Sequence, residues 1–423
     1  MASCSSTRNL KKEIGHTFEN FDAFQPGFSG FVLYDPATRE VIYEHNGSKY
    51  FTPASNTKLF TFYTGLQVLG DSIPALKYVV RNDSLYFWGT GDPTFLHEGY
   101  SYSRVYEFLK DRPEQLVYVP PVFEEEAFGP GWAWDDYNWY YSRERSAFPI
   151  YGNGIKFVFW PRDSVPQIYP GYFQESTLRD TSITGNNSLV LRDLSKNHFV
   201  FQHQKGNGKE EQLVPFKTSP ELLVNMLSDT LNKKVLLLKN PPEYLSPKKM
   251  LYSVPADSLY QPMLQNSNNF FAEQILLMSS KILSDTLKSK IAIDYMKEHY
   301  LKDLPDEPIW VDGSGLSVYN KFTPRTMVKL LEKIKNEVPR ERLFKLLPAG
   351  GVSGTIKNLY TAEEPYIFAK TGTLSNAHML SGFLRTKEGK ILIFSFMNNN
   401  YTVPTSRIKD GMEKILRNIY LNY

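Results

Sequence analysis

Pro53-Ala54-Ser55-Asn56-Thr57-Lys58-Leu59-Phe60-Thr61-Phe62-Tyr63 sets a serine one turn ahead of a lysine at the mouth of an apolar periodic run. Leu59, Phe60, Tyr63, Leu66 and Leu69 recur at three-to-four spacing up to Gly70, which predicts a helix starting near Ser55. On a helix, positions three apart share a face, so Lys58 stands beside Ser55. A hydroxyl is a weak nucleophile until a neighbouring base takes its proton. For Lys58 to act so, its amine must be neutral part of the time, and burial or nearby positive charge would lower it from ~10.4. The first N–H groups of a helix are also suited to a developing oxyanion. Alone, the S-x-x-K tetrad is weak. It recurs at Ser246 to Lys249 and at Ser406 to Lys409, and a helix N-cap explains Ser55 equally well.

Before this segment, Phe28 to Tyr34 and Glu40 to Glu44 read as a hairpin across Asp35-Pro36-Ala37-Thr38-Arg39, the first ordered element expected. After it, from Lys77 to Leu245, β-branched and aromatic runs alternate with turn residues. The densest aromatic stretch runs from Trp132 to Tyr141. Helical periodicity returns with Phe270, Phe271, Ile275, Leu276 and Met278. Strand-like runs follow at Tyr366 to Thr373, Met379 to Arg385 and Ile391 to Met397, and an amphipathic helix carries Ile408, Met412, Ile415 and Ile419. The expected fold class is α+β and multidomain, with an antiparallel sheet and flanking helices. Residues 25–76 and 246–423 would build the main lobe, 77–245 a β-rich insertion, and 1–24 an N-terminal segment.

Composition narrows the functional classes. At 423 residues the chain exceeds what one core usually organises, and 41% apolar with 22% charged residues is ordinary globular material. A net charge of +3 from 48 basic and 45 acidic residues gives no electrostatic footprint for nucleic acid. The single cysteine, Cys4, rules out an intramolecular disulfide and a cysteine-based metal site. No apolar run reaches the ~18 residues of a bilayer span, and no basic start with an apolar h-region marks an export signal. Met1-Ala2-Ser3-Cys4-Ser5-Ser6 nevertheless resembles the start of a processed bacterial lipoprotein, so a cytosolic protein and a form whose signal has been removed both remain open.

Two further motifs single out Ser55. Ser267-Asn268-Asn269 opens the second helical region as S-x-N, a pattern also met at Ser195 to Asn197. Lys370-Thr371-Gly372-Thr373 ends a strand-like run and occurs once. Read plainly, it is a strand ending on a turn glycine. Read functionally, Gly372 admits a substrate backbone while Lys370 and the two threonines bind a carboxylate. S-x-x-K, S-x-N and K-T-G-T in this order are the signature set of penicillin-binding proteins and serine β-lactamases.

The chain resembles a D-alanyl-D-alanine carboxypeptidase/endopeptidase of the penicillin-binding type with a large insertion between the first two motifs. Beyond the motifs, the likeness rests on Gly89 to Thr94, Gly129 to Asp136, Asn266 to Glu273, Asp312 to Ser317 and Leu347 to Thr355, and it extends from about Ser29 to Asn398. It implies a transpeptidase-type lobe shared with the β-lactamases. It also implies that Ser55 forms an acyl-enzyme on the penultimate D-alanine, with Lys58 as base and Ser267 relaying a proton to the leaving amine with Lys370. By the same resemblance Asn269 binds the substrate amide, and Lys370, Thr371, Gly372 and Thr373 hold the terminal carboxylate. The N–H groups of Ser55 and Thr373 would form the oxyanion hole, with no metal or organic cofactor. Its partners would be peptidoglycan peptides and, as covalent inhibitors, β-lactams.

Two departures stand out. The middle of the second motif is Asn268, where aspartate is common, and Leu359 stands near where an arginine is expected, which leaves side-chain recognition to Asp135 or Asp136. His378 is read as structural. Two other readings are a serine β-lactamase, disfavoured by length and insertion, and an inactive cell-wall-binding protein, disfavoured by the intact motifs. A wall substrate places the chain in the periplasm or cell envelope, with Cys4 as a lipid anchor.

Overall fold

The computed structural model describes residues 2–180, 182, 187–204, 208–242, 245–247 and 249–423, with side chains from residue 8 onward. The Cys4 side chain therefore lies outside the described residues.

Both ends of the chain build one antiparallel sheet of five strands. Their order is Ile367–Leu374, Ala377–Arg385, Ile391–Asn399, Phe28–Asp35, Glu40–His45. Alternation along each strand feeds two cores, because successive side chains point to opposite faces. Val32, Ile393 and Met397 pack beneath helices Lys58–Val68, Asn269–Ser284 and Pro324–Glu337. Phe31, Leu33, Leu392, Phe394 and Phe396 face helices Ala2–Asn20 and Thr405–Asn422. The α+β class and the antiparallel sheet expected from the sequence are present.

The first ordered element is the helix Ala2–Asn20, not the hairpin. Leu10, Ile14 and Phe18, spaced by four, bury one stripe against the terminal helix. Lys11, Lys12 and Glu13 between them dilute the apolar signal. Among the described residues no helix is long and apolar enough to cross a membrane.

A second five-stranded sheet runs Val235–Leu237, Gln115–Tyr118, Ser84–Gly89, Ser72–Arg81, Lys249–Pro255, and two three-stranded sheets lie between its strands in sequence. The strands Ser72–Arg81 and Lys249–Pro255 begin and end the excursion along the chain, so the sheet reaches to either side of residues 77–245. This part has its own core, with Phe87, Phe148, Phe157, Phe199, Phe216 and Leu227 buried in it. A connecting stretch returns to the main lobe. Trp132 Nε1 donates to Asp312 Oδ2 at 2.9 Å, Ser317 Oγ to Pro130 O at 2.7 Å, and Ser289 N to Glu125 Oε2 at 2.7 Å.

Candidate active site

Ser55 lies in a 3₁₀ turn, Ala54–Thr57, just ahead of the helix Lys58–Val68, and it is not that helix's cap. The turn enters through Ala54 at φ +46°, a left-handed conformation that costs a residue with a Cβ about 1–2 kcal/mol. Its surroundings hold it there. Thr57 Oγ1 donates to Ala54 O at 2.8 Å, Asn56 Nδ2 to Lys370 O at 2.8 Å, and Ser381 Oγ to Asn56 Oδ1 at 2.6 Å. Of the two residues between Ser55 and Lys58, Thr57 closes the turn on itself, and Asn56 fastens it to the strands Ile367–Leu374 and Ala377–Arg385. Gly315, at φ +80°, closes the other side, since a Cβ there would stand 1.9 Å from Ala54 O.

Lys58 is fully buried, and its ammonium is aimed by three acceptors. Nζ lies 2.8 Å from Ser55 Oγ, 2.7 Å from Asn269 Oδ1 and 2.6 Å from Ser314 O. Burial pulls its pKa down to about 7, against the opposing pull of Asp312 and Glu273. The amine is therefore neutral in a substantial fraction of molecules at neutral pH, as a base for Ser55 requires.

Ser267 sits at φ +58°, and its Oγ accepts from Lys370 Nζ at 2.9 Å. Asn268 is the N-cap of the helix Asn269–Ser284, accepting from Phe271 N at 3.0 Å. Aspartate caps equally well, which accounts for the middle position of the motif. Asn269 opens the helix on the substrate side. Its Oδ1 is taken by Lys58, while Nδ2 donates to Tyr141 O at 3.0 Å and keeps a second hydrogen.

Lys370 is also fully buried, with a pKa driven well down by burial first and then by the charge of Lys58. A carboxylate entering beside it would favour the charged form and reverse that shift. Thr371 Oγ1 lies 2.7 Å from Thr355 Oγ1, and Thr373 Oγ1 lies 2.8 Å from His378 Nδ1. His378 is buried and held at about 3 by desolvation and then by Lys409, so it stays neutral and orients Thr373.

Gly372 departs from the sequence expectation. A Cβ on it would meet Pro53 O at 2.6 Å and Ser55 N at 3.0 Å, so its bare face receives the chain's own nucleophile turn and not a substrate backbone. Gly372→Ala must push that turn away, at about 1–3 kcal/mol by the usual cost of overpacking. Acylation of Ser55 should fall by at least about tenfold while the fold survives, as measured by adduct formation and thermal melting. An unchanged acylation rate would show that the close approach does not set the geometry.

These groups face a cleft of ≈ 750 Å³ lined by Ser55, Ser267, Asn269, Thr355 and Thr373, and from the inserted part by Asp135, Asp136, Tyr140, Tyr141 and Arg143. Asp136 accepts from Tyr141 OH at 2.8 Å, whereas Asp135 is exposed at the mouth. Ser406, of a competing S-x-x-K, is exposed on the terminal helix, away from any such cluster.

Sequence reasoning missed the layer beneath. Glu273, one turn along from Asn269, accepts from Ser314 N at 2.7 Å, and Asp312 accepts from Gly315 N at 2.9 Å and Ser317 N at 2.7 Å. Arg145, from the inserted part, places Nη1 3.5 Å from Glu273 Oε2 and Nη2 3.2 Å from Glu125 Oε1. Burial first, and then Asp312, push Glu273 up to about 7, and Arg145 opposes the rise. The sequence placed Glu273 and Asp312 in family-like stretches without a role, and the i, i+4 spacing of Asn269 and Glu273 on a helix is the signal that could have given Glu273 one.

Known proteins resemble this chain in sequence and fold. The D-alanyl-D-alanine carboxypeptidase DacB of Haemophilus influenzae is 25% identical over 92% of this chain and 90% of its own length. The crystal structure of penicillin-binding protein 4 from the same organism superposes with a TM-score of 0.77 at 20% identity, covering 96% of this chain and 99% of that one. A penicillin G-acylated predatory endopeptidase from Bdellovibrio bacteriovorus superposes at 0.51 with 16% identity, covering 92% and 90%. Residues 10–419 match the D-Ala-D-Ala carboxypeptidase 3 (S13) family, so this chain belongs to that family and is a serine DD-peptidase.

Proposed function

We propose that Ser55 cleaves D-alanyl bonds of peptidoglycan peptides through an acyl-enzyme, as a carboxypeptidase on terminal D-alanine and as an endopeptidase on D-alanyl cross-links. The observation that carries this reading is the buried Lys58 amine 2.8 Å from Ser55 Oγ, with its pKa drawn down to about 7. Neutral Lys58 takes the hydroxyl proton as Ser55 Oγ bonds to the penultimate D-alanine carbonyl. The oxyanion is held by the N–H groups of Ser55 and Thr373. The C–N bond then breaks, and Ser267, hydrogen-bonded to Lys370, passes a proton to the departing amine. Water releases the acyl group by the same steps in reverse.

Asn269 offers its remaining amide hydrogen to the substrate, and Lys370, Thr371 and Thr373 take the terminal carboxylate. Asp135 and Asp136, which face the cleft from the inserted part, take the amine of the peptide side chain, with no arginine needed at Leu359. The substrate lies outside the cytoplasmic membrane, which places the enzyme in the cell envelope. The same nucleophile opens β-lactams, which become covalent inhibitors.

Intact-mass analysis with penicillin G tests the reading, run beside chromatography of a pentapeptide ending in D-Ala-D-Ala. A stable one-to-one adduct on the peptide containing Ser55, and release of D-alanine, are expected. Rapid penicillin turnover without peptide cleavage would mark a β-lactamase instead. Absence of both adduct and cleavage would mark an inactive wall-binding protein.

A further inference from the structure

We propose that a second cleft, in the inserted part, binds the glycan strand of the polymer whose peptide enters the Ser55 cleft; this rests on the peptidase reading for its substrate. The cleft, of ≈ 1020 Å³, lies between the strand Gly154–Phe159, the turn Gly171–Phe173 and the C-terminal end of the helix Pro220–Leu231. Its size exceeds the needs of one side chain and suits a short oligosaccharide.

Three features of its lining fit an N-acetyl amino sugar. Tyr169 and Tyr172, residues that are 55% and 36% exposed, line it and offer apolar ring faces for the C–H side of a pyranose. His97 accepts from Gly99 N at 3.0 Å through Nδ1, which puts the ring proton on Nε2. That Nε2 is buried in the wall of the cleft and has no hydrogen-bond partner among the described residues, a polar donor left unmet beside the space a sugar would fill. Desolvation, and then Arg143, hold this ring neutral, with a pKa of about 4.

Charge selects sugar over stem peptide. Glu98, Glu175 and Asp229 line the cleft against Lys156 and Arg143, but Lys156 is already paired with Glu98 at 3.3 Å and Glu211 at 3.0 Å. Arg143 is committed to Gly152 O at 2.9 Å and Tyr140 O at 3.0 Å. Arg143 keeps its charge, so Glu175 and Asp229 leave the lining a slight acidic excess, which disfavours the carboxylates of a stem peptide and accepts hydrogen bonds from neutral hydroxyls.

Continuity ties this cleft to the chemistry. Arg143 lines both it and the Ser55 cleft. A third cleft, of ≈ 1100 Å³, shares His97 and Glu98 with it, and shares Asn266 and Asn268, which flank Ser267, with the Ser55 cleft.

Calorimetric titration of the full chain with the β-1,4-linked tetramer of N-acetylglucosamine tests this without any turnover. The tetramer should bind, and Tyr169→Ala and Tyr172→Ala should each weaken it by at least about tenfold, the loss usual for a contact aromatic. Both rings are exposed, so the fold should survive, and penicillin acylation of Ser55 should be unchanged in both variants. No binding, equal binding by the variants, or displacement of the tetramer by a sugar-free stem peptide would each overturn the assignment. Penicillin acylation reports the peptidase reading separately: tetramer binding without acylation would sink that reading and keep the cleft, and the reverse would sink the cleft alone.

Discussion

Lys58→Met will slow acylation of Ser55 by penicillin by about 10²- to 10⁴-fold, the range expected when a positioned general base is removed. Methionine fills the same buried channel but has no group to take the Ser55 proton. It also strips a donor from Asn269 Oδ1 and from Ser314 O, so some stability will be lost as well. The two losses separate by comparing adduct formation rates well below the melting transition. The wild-type rate should rise with pH through about 7 and level off above it, because only the neutral amine is a base. Stability follows the same group. Its folded pKa is depressed from 10.5 to about 7, so between those values the unfolded chain binds more protons and stability rises with pH. A variant retaining more than a tenth of the wild-type rate would remove Lys58 from the base role.

The sequence makes the three motifs legible because each has a local signature: a helix start at Ser55, a capped helix at Asn269, and a strand at Lys370. Their meeting point is not local. Asn56 reads as a spacer, yet it bonds Lys370 O across a separation of 314 residues. Gly372 reads as an opening for substrate, yet it is the contact face of the Ser55 turn. The supports of Lys58 are less visible still. Glu273 lies on a uniformly buried stretch of helix, where periodicity records only that the segment is inside. Arg145 lies in an irregular segment of the inserted part with no period at all. The initial helix escaped for the opposite reason, since its apolar stripe is three residues deep among charged neighbours.

Arg145 shows what the inserted part contributes to the chemistry. Its guanidinium is 1% exposed, bonds the carbonyls of Glu126 at 2.9 Å and Phe128 at 3.0 Å, and lies 5.5 Å above the Trp132 ring. Trp132 in turn holds Asp312, and Glu273 holds Ser314, whose carbonyl aims Lys58. Arg145→Met leaves Glu125 and Glu273 without their shared cation and should cost about 3–5 kcal/mol in denaturant unfolding, as for one partner removed from a buried ion pair. The effect on chemistry has a definite sign. Arg145 opposes the rise of the Glu273 pKa and so favours its ionised form, which in turn raises the Lys58 pKa, so losing either charge should move the rising limb of the acylation profile to lower pH. Glu273→Gln, which preserves shape and leaves Arg145 its Glu125 partner, gives the same readout if Arg145→Met does not fold. A limb that stays in place in Glu273→Gln would mean that the network only builds the loop around Lys58. A limb that moves would mean that a residue of the inserted part, with no atom on the substrate, sets the pH at which Ser55 becomes a nucleophile.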